Sequence, residues 1–211
     1  VLLALALIVS FASISIAQLS QGGEPKSFSY ERKLNLNPVN FEIMPFVDED
    51  ALRAEDEIVD KIGGIPWRFG ENIEVNYNPD NSGVWDFLPG GDKIWRLGIL
   101  SENAKSINLT FDRYYLPQGA ELFIYNQDRT EIIGAFTHDN NQDHGKFATT
   151  LVAGSAIIVE YYEPFKVEFP GELNLSLVTH GYRGPKDYFK SLGDSGPCNV
   201  NVACPLAAGW E

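Results

Sequence analysis

Cysteine is nearly missing from this chain. There are two, Cys198 and Cys204, both close to the C-terminal end. A disulfide framework for the region upstream of them is thereby excluded. Basic residues are scarce too: 16 Lys and Arg stand against 29 Asp and Glu, a formal net charge of -13. That balance works against nucleic acid, whose phosphates need a positive surface. The histidines are only His138, His144 and His180, so a histidine base or imidazole ligand must be one of these three. No repeat of fixed period and no low-complexity segment occurs. Beyond the first sixteen residues no apolar run is long enough to span a membrane. What is present is a globular balance of 44% apolar and 21% charged residues.

The N-terminus is set apart from the rest. Val1 to Ile16 carry no charge and are mostly Leu, Ala, Ile, Val and Phe. They lead into Ser15-Ile16-Ala17, a small-x-small pattern, followed by polar Gln18-Leu19-Ser20-Gln21. This reads as the apolar part of a secretory signal peptide over residues 1–17, with cleavage between Ala17 and Gln18. The run is shorter than the roughly 20 residues of a spanning helix. A secreted, extracellular protein without stable membrane insertion is therefore expected. The missing Met and basic lead-in read as a clipped start.

From Trp95 to Glu163 short period-two runs follow one another. Trp95, Leu97 and Ile99 alternate with Arg96 and Gly98, and Ile107, Leu109 and Phe111 with Asn108 and Thr110. Leu122–Tyr125, Ile132–Phe136, Phe147–Val152 and Ala156–Tyr162 continue the series. Ile73, Val75 and Tyr77 form an earlier strand, and Leu173–Thr179 a final one. Ser27–Tyr30 and Leu34–Leu36 read as strand-like starts. No helical stretch separates the central runs, which predicts an all-β, antiparallel, jelly-roll-like sandwich over residues 25–182. Asp48 to Glu57 is acidic, with Asp48 placed to cap one or two solvated helical turns. Residues 183–196 read as a linker.

Few residues suggest chemistry. His138 to His144 has the oxygen and imidazole groups of a metal loop, but the same composition serves a solvated hairpin turn, and no metal or cofactor is expected. Trp67, Trp85, Trp95, Tyr114 and Tyr115 are candidates for stacking on sugar rings, with ordinary packing as the simpler reading. Asn108-Leu109-Thr110 and Asn174-Leu175-Ser176 match glycosylation acceptors but lie within strands. Gly193-Asp194-Ser195-Gly196 looks like the surroundings of a chymotrypsin-like nucleophile. Such a serine comes last of its triad, inside a complete scaffold, and only Pro197 to Glu211 follow it here.

The stretch Ser195-Gly196-Pro197-Cys198-Asn199-Val200-Asn201-Val202-Ala203-Cys204-Pro205 resembles the opening of the catalytic domain in the bacterial lysyl endopeptidase family, secreted chymotrypsin-like serine proteases. Trp95-Arg96-Leu97, Leu116-Pro117, Gly119-Ala120, Glu160-Tyr161-Tyr162-Glu163-Pro164 and Val178-Thr179-His180-Gly181-Tyr182 resemble the region before that domain in such precursors. The resemblance implies a non-catalytic precursor or accessory region, followed at residues 197–211 by the start of a truncated protease domain. It implies that Cys198 and Cys204 form disulfides with cysteines of that missing domain, and that no catalytic residue lies in this chain. Processing is then expected in a region that takes in Lys186, Lys190, Gly193 and Gly196, with cleavage between Lys190 and Gly196. The expected partner is the chain's own protease domain, and a glycan or cell surface is the alternative.

Overall fold

The computed structural model describes residues 19–31, 33–62 and 66–184. Two β-sheets pack face to face. One contains β1 (Phe41–Ile43), β3 (Val84–Phe87), β4 (Lys93–Leu100), β6 (Glu121–Asn126), β7 (Ile132–Phe136) and β10 (Ala156–Glu163), in the order β1-β4-β10-β6-β7, with β3 also on β4. The other contains β2 (Gly70–Tyr77), β5 (Ser106–Tyr115), β8 (Phe147–Ala148), β9 (Val152–Ala153) and β11 (Glu172–Gly181), in the order β2-β11-β5-β8, with β9 also on β5. The protein is an all-β sandwich. Among the described residues its pairings are antiparallel except one: β1 runs parallel to β4, with Phe41 opposite Gly98.

The alternation read from the sequence is the alternation of the core. Trp95, Leu97 and Ile99 of β4 face Ile107, Leu109 and Phe111 of β5, and Leu122, Ile124, Ile157, Val159 and Leu175 join them, all fully or almost fully buried. Stripping this much apolar surface from water is the main driving force for closing two sheets on each other. At one side the packing becomes aromatic, with Phe147 stacked on Tyr114 at 4.4 Å and edge-on to Phe136 at 4.8 Å.

Period two also predicts that Arg96 and its neighbours face water, and here the structure differs. All six interior residues of β4 are buried. The cause is a covering layer built from residues 19–41. Gln21 and Gly22, read from composition as a polar lead-in, bond to Ala135 and Gly134 on the edge of β7. Ser27–Tyr30, expected as a strand, belongs to a short helix, α1 (Lys26–Tyr30), over β10 and β6. Ser27 donates from both its amide and its hydroxyl to the buried Glu160, at 2.9 and 2.6 Å. Phe28 meets Tyr125 edge-on at 5.0 Å. Leu34–Leu36 is not a strand either; it lies in an irregular stretch before Asn37 binds Asp86. Phe41 then lies against Gly98, where a Cβ would come within 2.7 Å of its ring. The short apolar spacing of Ser27–Tyr30 does not distinguish helix from strand; the buried carboxylate of Glu160 decides it.

Two further differences concern element length. Phe147–Val152 splits into the two-residue β8 and β9: at Thr149 the ladder to β5 changes, since the Thr149 amide still donates to the Leu109 carbonyl (2.9 Å) but the Thr149 hydroxyl, not a backbone carbonyl, accepts the Leu109 amide (3.0 Å). The acidic stretch is a full helix, α2 (Glu49–Ile62), of 14 residues, not one or two turns. Asp48 caps it by accepting the Ala51 amide at 3.0 Å, as the sequence suggests. It is not merely solvated. Asp56 is buried and accepts from Tyr182 Oη (2.6 Å), Arg68 Nε (2.9 Å) and Arg183 (3.0 Å), while Asp60 holds Arg183 at 2.5 Å. The acidic face is long because the sandwich presents arginines to it. No helix among the described residues is long and apolar enough to cross a membrane.

Candidate functional site

At one end of the sandwich the sheets part and leave a cleft of about 500 Å³. The register of three neighbouring strands sets its floor. Trp85, Trp95 and Tyr161 lie abreast on β3, β4 and β10, and Phe87, Lys93 and Glu163 form the next row outward. Arg113, Leu173 and Asn174 approach from the facing sheet, and Asn78–Asp80 and Pro170–Gly171 close the sides. The inner row is apolar because it continues the core. The outer row lies where water enters, so it carries an ion pair.

Glu163 is the hub of that row. It is 3% exposed and accepts from Lys93 Nζ at 2.7 Å, Tyr161 Oη at 2.6 Å and the Gly171 amide at 2.9 Å. Burial works to raise its pKa. The hydrogen bonds from Lys93, Tyr161 and Gly171, with the Lys93 charge, outweigh burial and hold the carboxyl below the usual range. Burial, reinforced by Glu163, pushes the Tyr161 phenol far up, so it stays a donor. Gly171 is required here: a Cβ at this position would run into the Tyr161 hydroxyl. Lys93 Nζ also sits 4.7 Å over the Trp85 ring. The two charged groups on the cleft floor, Lys93 and Glu163, are thus already paired with each other.

Arg113 and Glu172, paired at 2.5 Å, separate this cleft from a second one of about 700 Å³ lined by Asp112, Tyr115, Asp143 and His144. This second cleft includes part of the loop read as a metal candidate. His138 opens a 3-10 turn and points to Asp139 at 3.2 Å, whereas His144 accepts the Lys146 amide at 3.0 Å. Among the described residues no group of three or more His, Cys, Asp or Glu could hold a metal ion.

One constellation has the composition of a hydrolytic relay. Ser101 Oγ and His180 Nδ1 are 2.7 Å apart, and His180 Nε2 is 3.3 Å from Glu49 Oε1. A nucleophile must meet its substrate. Ser101 is 1% exposed and His180 0%, so the hydroxyl has no room beside it. The chain of bonds instead ties the first residue of α2 to β11 and to the turn after β4.

The residues singled out in the sequence scatter. Ala17, Gln18, Lys186, Lys190, Gly193, Ser195, Gly196, Cys198 and Cys204 lie outside the described residues. Of the aromatic candidates, Trp95 and Tyr114 are core, Trp67 lies under Arg183 at 4.4 Å, Trp85 under Lys93, and Tyr115 is stacked on Phe169 at 5.0 Å. Asn174 is bonded to Asn78 and Asp112, at 3.1 and 2.9 Å. The sequence reading missed Lys93, Glu160, Glu163 and the Ser101–His180 contact. A signal for the two glutamates existed: β10 reads Ala-Ile-Ile-Val-Glu-Tyr-Tyr-Glu, and a carboxylate inside such an apolar strand needs donors.

Fold and site together define a two-sheet β-sandwich with a covered outer face and an end cleft whose floor holds a paired lysine and glutamate. Compared with known protein families and with solved structures, the chain matches none.

Proposed function

We propose that this chain is the non-catalytic N-terminal region of a secreted, lysyl endopeptidase-like serine endopeptidase precursor, with the sandwich acting on the folding, inhibition or positioning of the protease that follows it. The observation that carries this reading is where the sandwich closes. Among the described residues its last strand ends at Gly181, well before the Ser195–Pro205 stretch that resembles the start of the protease domain. Among the described residues the two sheets share one core, from Met44 to Val178. The sealed state of Ser101 and His180 supports a non-catalytic role for the sandwich itself. A glycan-binding role draws less support, because Trp67, Trp85, Trp95, Tyr114 and Tyr115, the five candidates for sugar stacking, are buried or already lie against a cation or another ring.

Sequencing the N-terminus of the secreted enzyme tests the proposal. A first residue between Lys190 and Gly196 is expected, and one far upstream of Lys186 overturns the processing scheme. Refolding the protease with and without the preceding region is the second arm: equal yield and equal rate of lysyl-ester hydrolysis overturn the folding and inhibitory roles.

A further inference from the structure

The edges of the two sheets are not alike. On the first sheet, β7 is covered by Gln21 and Gly22, while β1 and β3 are three and four residues long. On the second sheet, β8 and β9 have two residues each. The remaining edge is β2, eight residues long, paired with β11 on one side and, among the described residues, with nothing on the other. Long edges are ordinarily blunted by lysine, proline or a bulge. The β2 sequence, Gly-Glu-Asn-Ile-Glu-Val-Asn-Tyr, holds neither lysine nor proline. Its one irregularity lies at the far end, opposite Leu175–Leu177, where Asn81 Nδ2 also occupies the Asn76 carbonyl at 2.9 Å. From Gly70 to Glu74 the strand pairs in unbroken register with Leu177 to Gly181.

We propose that the free edge of β2 takes an added strand from a partner: an extended peptide in which apolar residues alternate with lysine, arginine and hydroxyl residues. Main-chain bonds to an edge supply affinity, and alternate side chains supply selectivity. Both faces of β2 state what they accept. Ile73 and Val75 pack against the core yet stay only half-buried, so apolar side chains on an added strand complete their cover. Asn72 and Glu74 are exposed on the other face, and β2 carries two glutamates and no cation. A lysine or arginine opposite Glu74 makes a favourable cross-strand pair. A second copy of this chain fits poorly. Self-pairing about Glu74 sets two glutamates opposite each other and brings together two chains of net charge -13. This inference does not rest on the precursor reading.

The test uses the full chain, isotope-labelled, and an eight-residue peptide alternating valine with lysine and threonine. Amide protection on peptide addition is expected within Gly70–Val75. Two isomeric peptides, N-methylated on alternate residues along one edge or the other, distinguish strand addition from side-chain contact: one isomer binds and the other does not. Glu74→Lys, an exposed change, is expected to weaken the lysine peptide about fivefold and to favour a glutamate-bearing one. Equal binding of both isomers overturns the proposal, as does protection confined to other strands. No shift at about 1 mM peptide, or sedimentation of the free chain as a dimer that Glu74→Lys dissociates, overturns it as well.

Discussion

Ser101 Oγ lies 2.7 Å from His180 Nδ1, and neither side chain reaches solvent. The pair is a structural joint between β11, the turn after β4 and, through Glu49, the start of α2. A serine-directed fluorophosphonate is therefore expected to leave Ser101 unmodified in the native chain, as read by peptide mass spectrometry. His180→Ala removes a fully buried ring and strands the Ser101 hydroxyl, and is expected to cost about 2–4 kcal/mol in urea unfolding.

At the other end, Glu163 gathers three donors from three places in the chain. Glu163→Gln puts an amide where Lys93, Tyr161 and Gly171 all donate, so one donor faces another. A loss of about 1–3 kcal/mol is expected, with altered Trp85 fluorescence because Lys93 loses its anchor beside that ring.

Gly171→Ala sets a methyl group against the Tyr161 hydroxyl. The expected cost is about 1–3 kcal/mol, as for other overpacked sites. Tyr161→Phe removes the opposing oxygen, so in a double-mutant cycle the pair should cost less than the sum of the single changes.

Acid should loosen α2 before the core. Burial works to raise the Asp56 pKa, but the hydrogen bonds from Tyr182 and Arg68 and the charges of Arg68 and Arg183 win, and the net shift is downward. A carboxyl with a depressed folded pKa stabilises above its unfolded value and loses that contribution as pH falls through the folded one. Below about pH 4, amide exchange in Glu49–Ile62 is expected to rise ahead of exchange in β4 and β5. Asp56→Asn should make α2 exchange fast already at neutral pH. Tyr182, raised to about 12 by burial and by Asp56, stays protonated throughout.

The central strands were legible because one side of each faces a core, and a half-buried strand writes that fact at every second position. Trp95, Leu97 and Ile99 need no tertiary knowledge to be paired on one face. The covering layer was not legible in this way. Arg96 and Glu160 look like solvent positions until Asp86 and Asn37, or Ser27 and Tyr125, supply the missing hydrogen bonds from distant parts of the chain. For α2 the sequence marked the cap at Asp48 and understated the length, since Arg68 and Arg183, which hold Asp56, lie beyond its own segment.

Hydrophobic periodicity alone therefore determined an all-β sandwich and most of its core, because burial of apolar surface depends on local alternation. The tertiary structure decided which polar groups work together: the lysine that neutralises Glu163, the serine that His180 seals away, and β2, the long strand whose outer edge is left open among the described residues. Those pairings are made between residues far apart in the chain, and a buried charge or donor is settled only by the partner that folding brings to it.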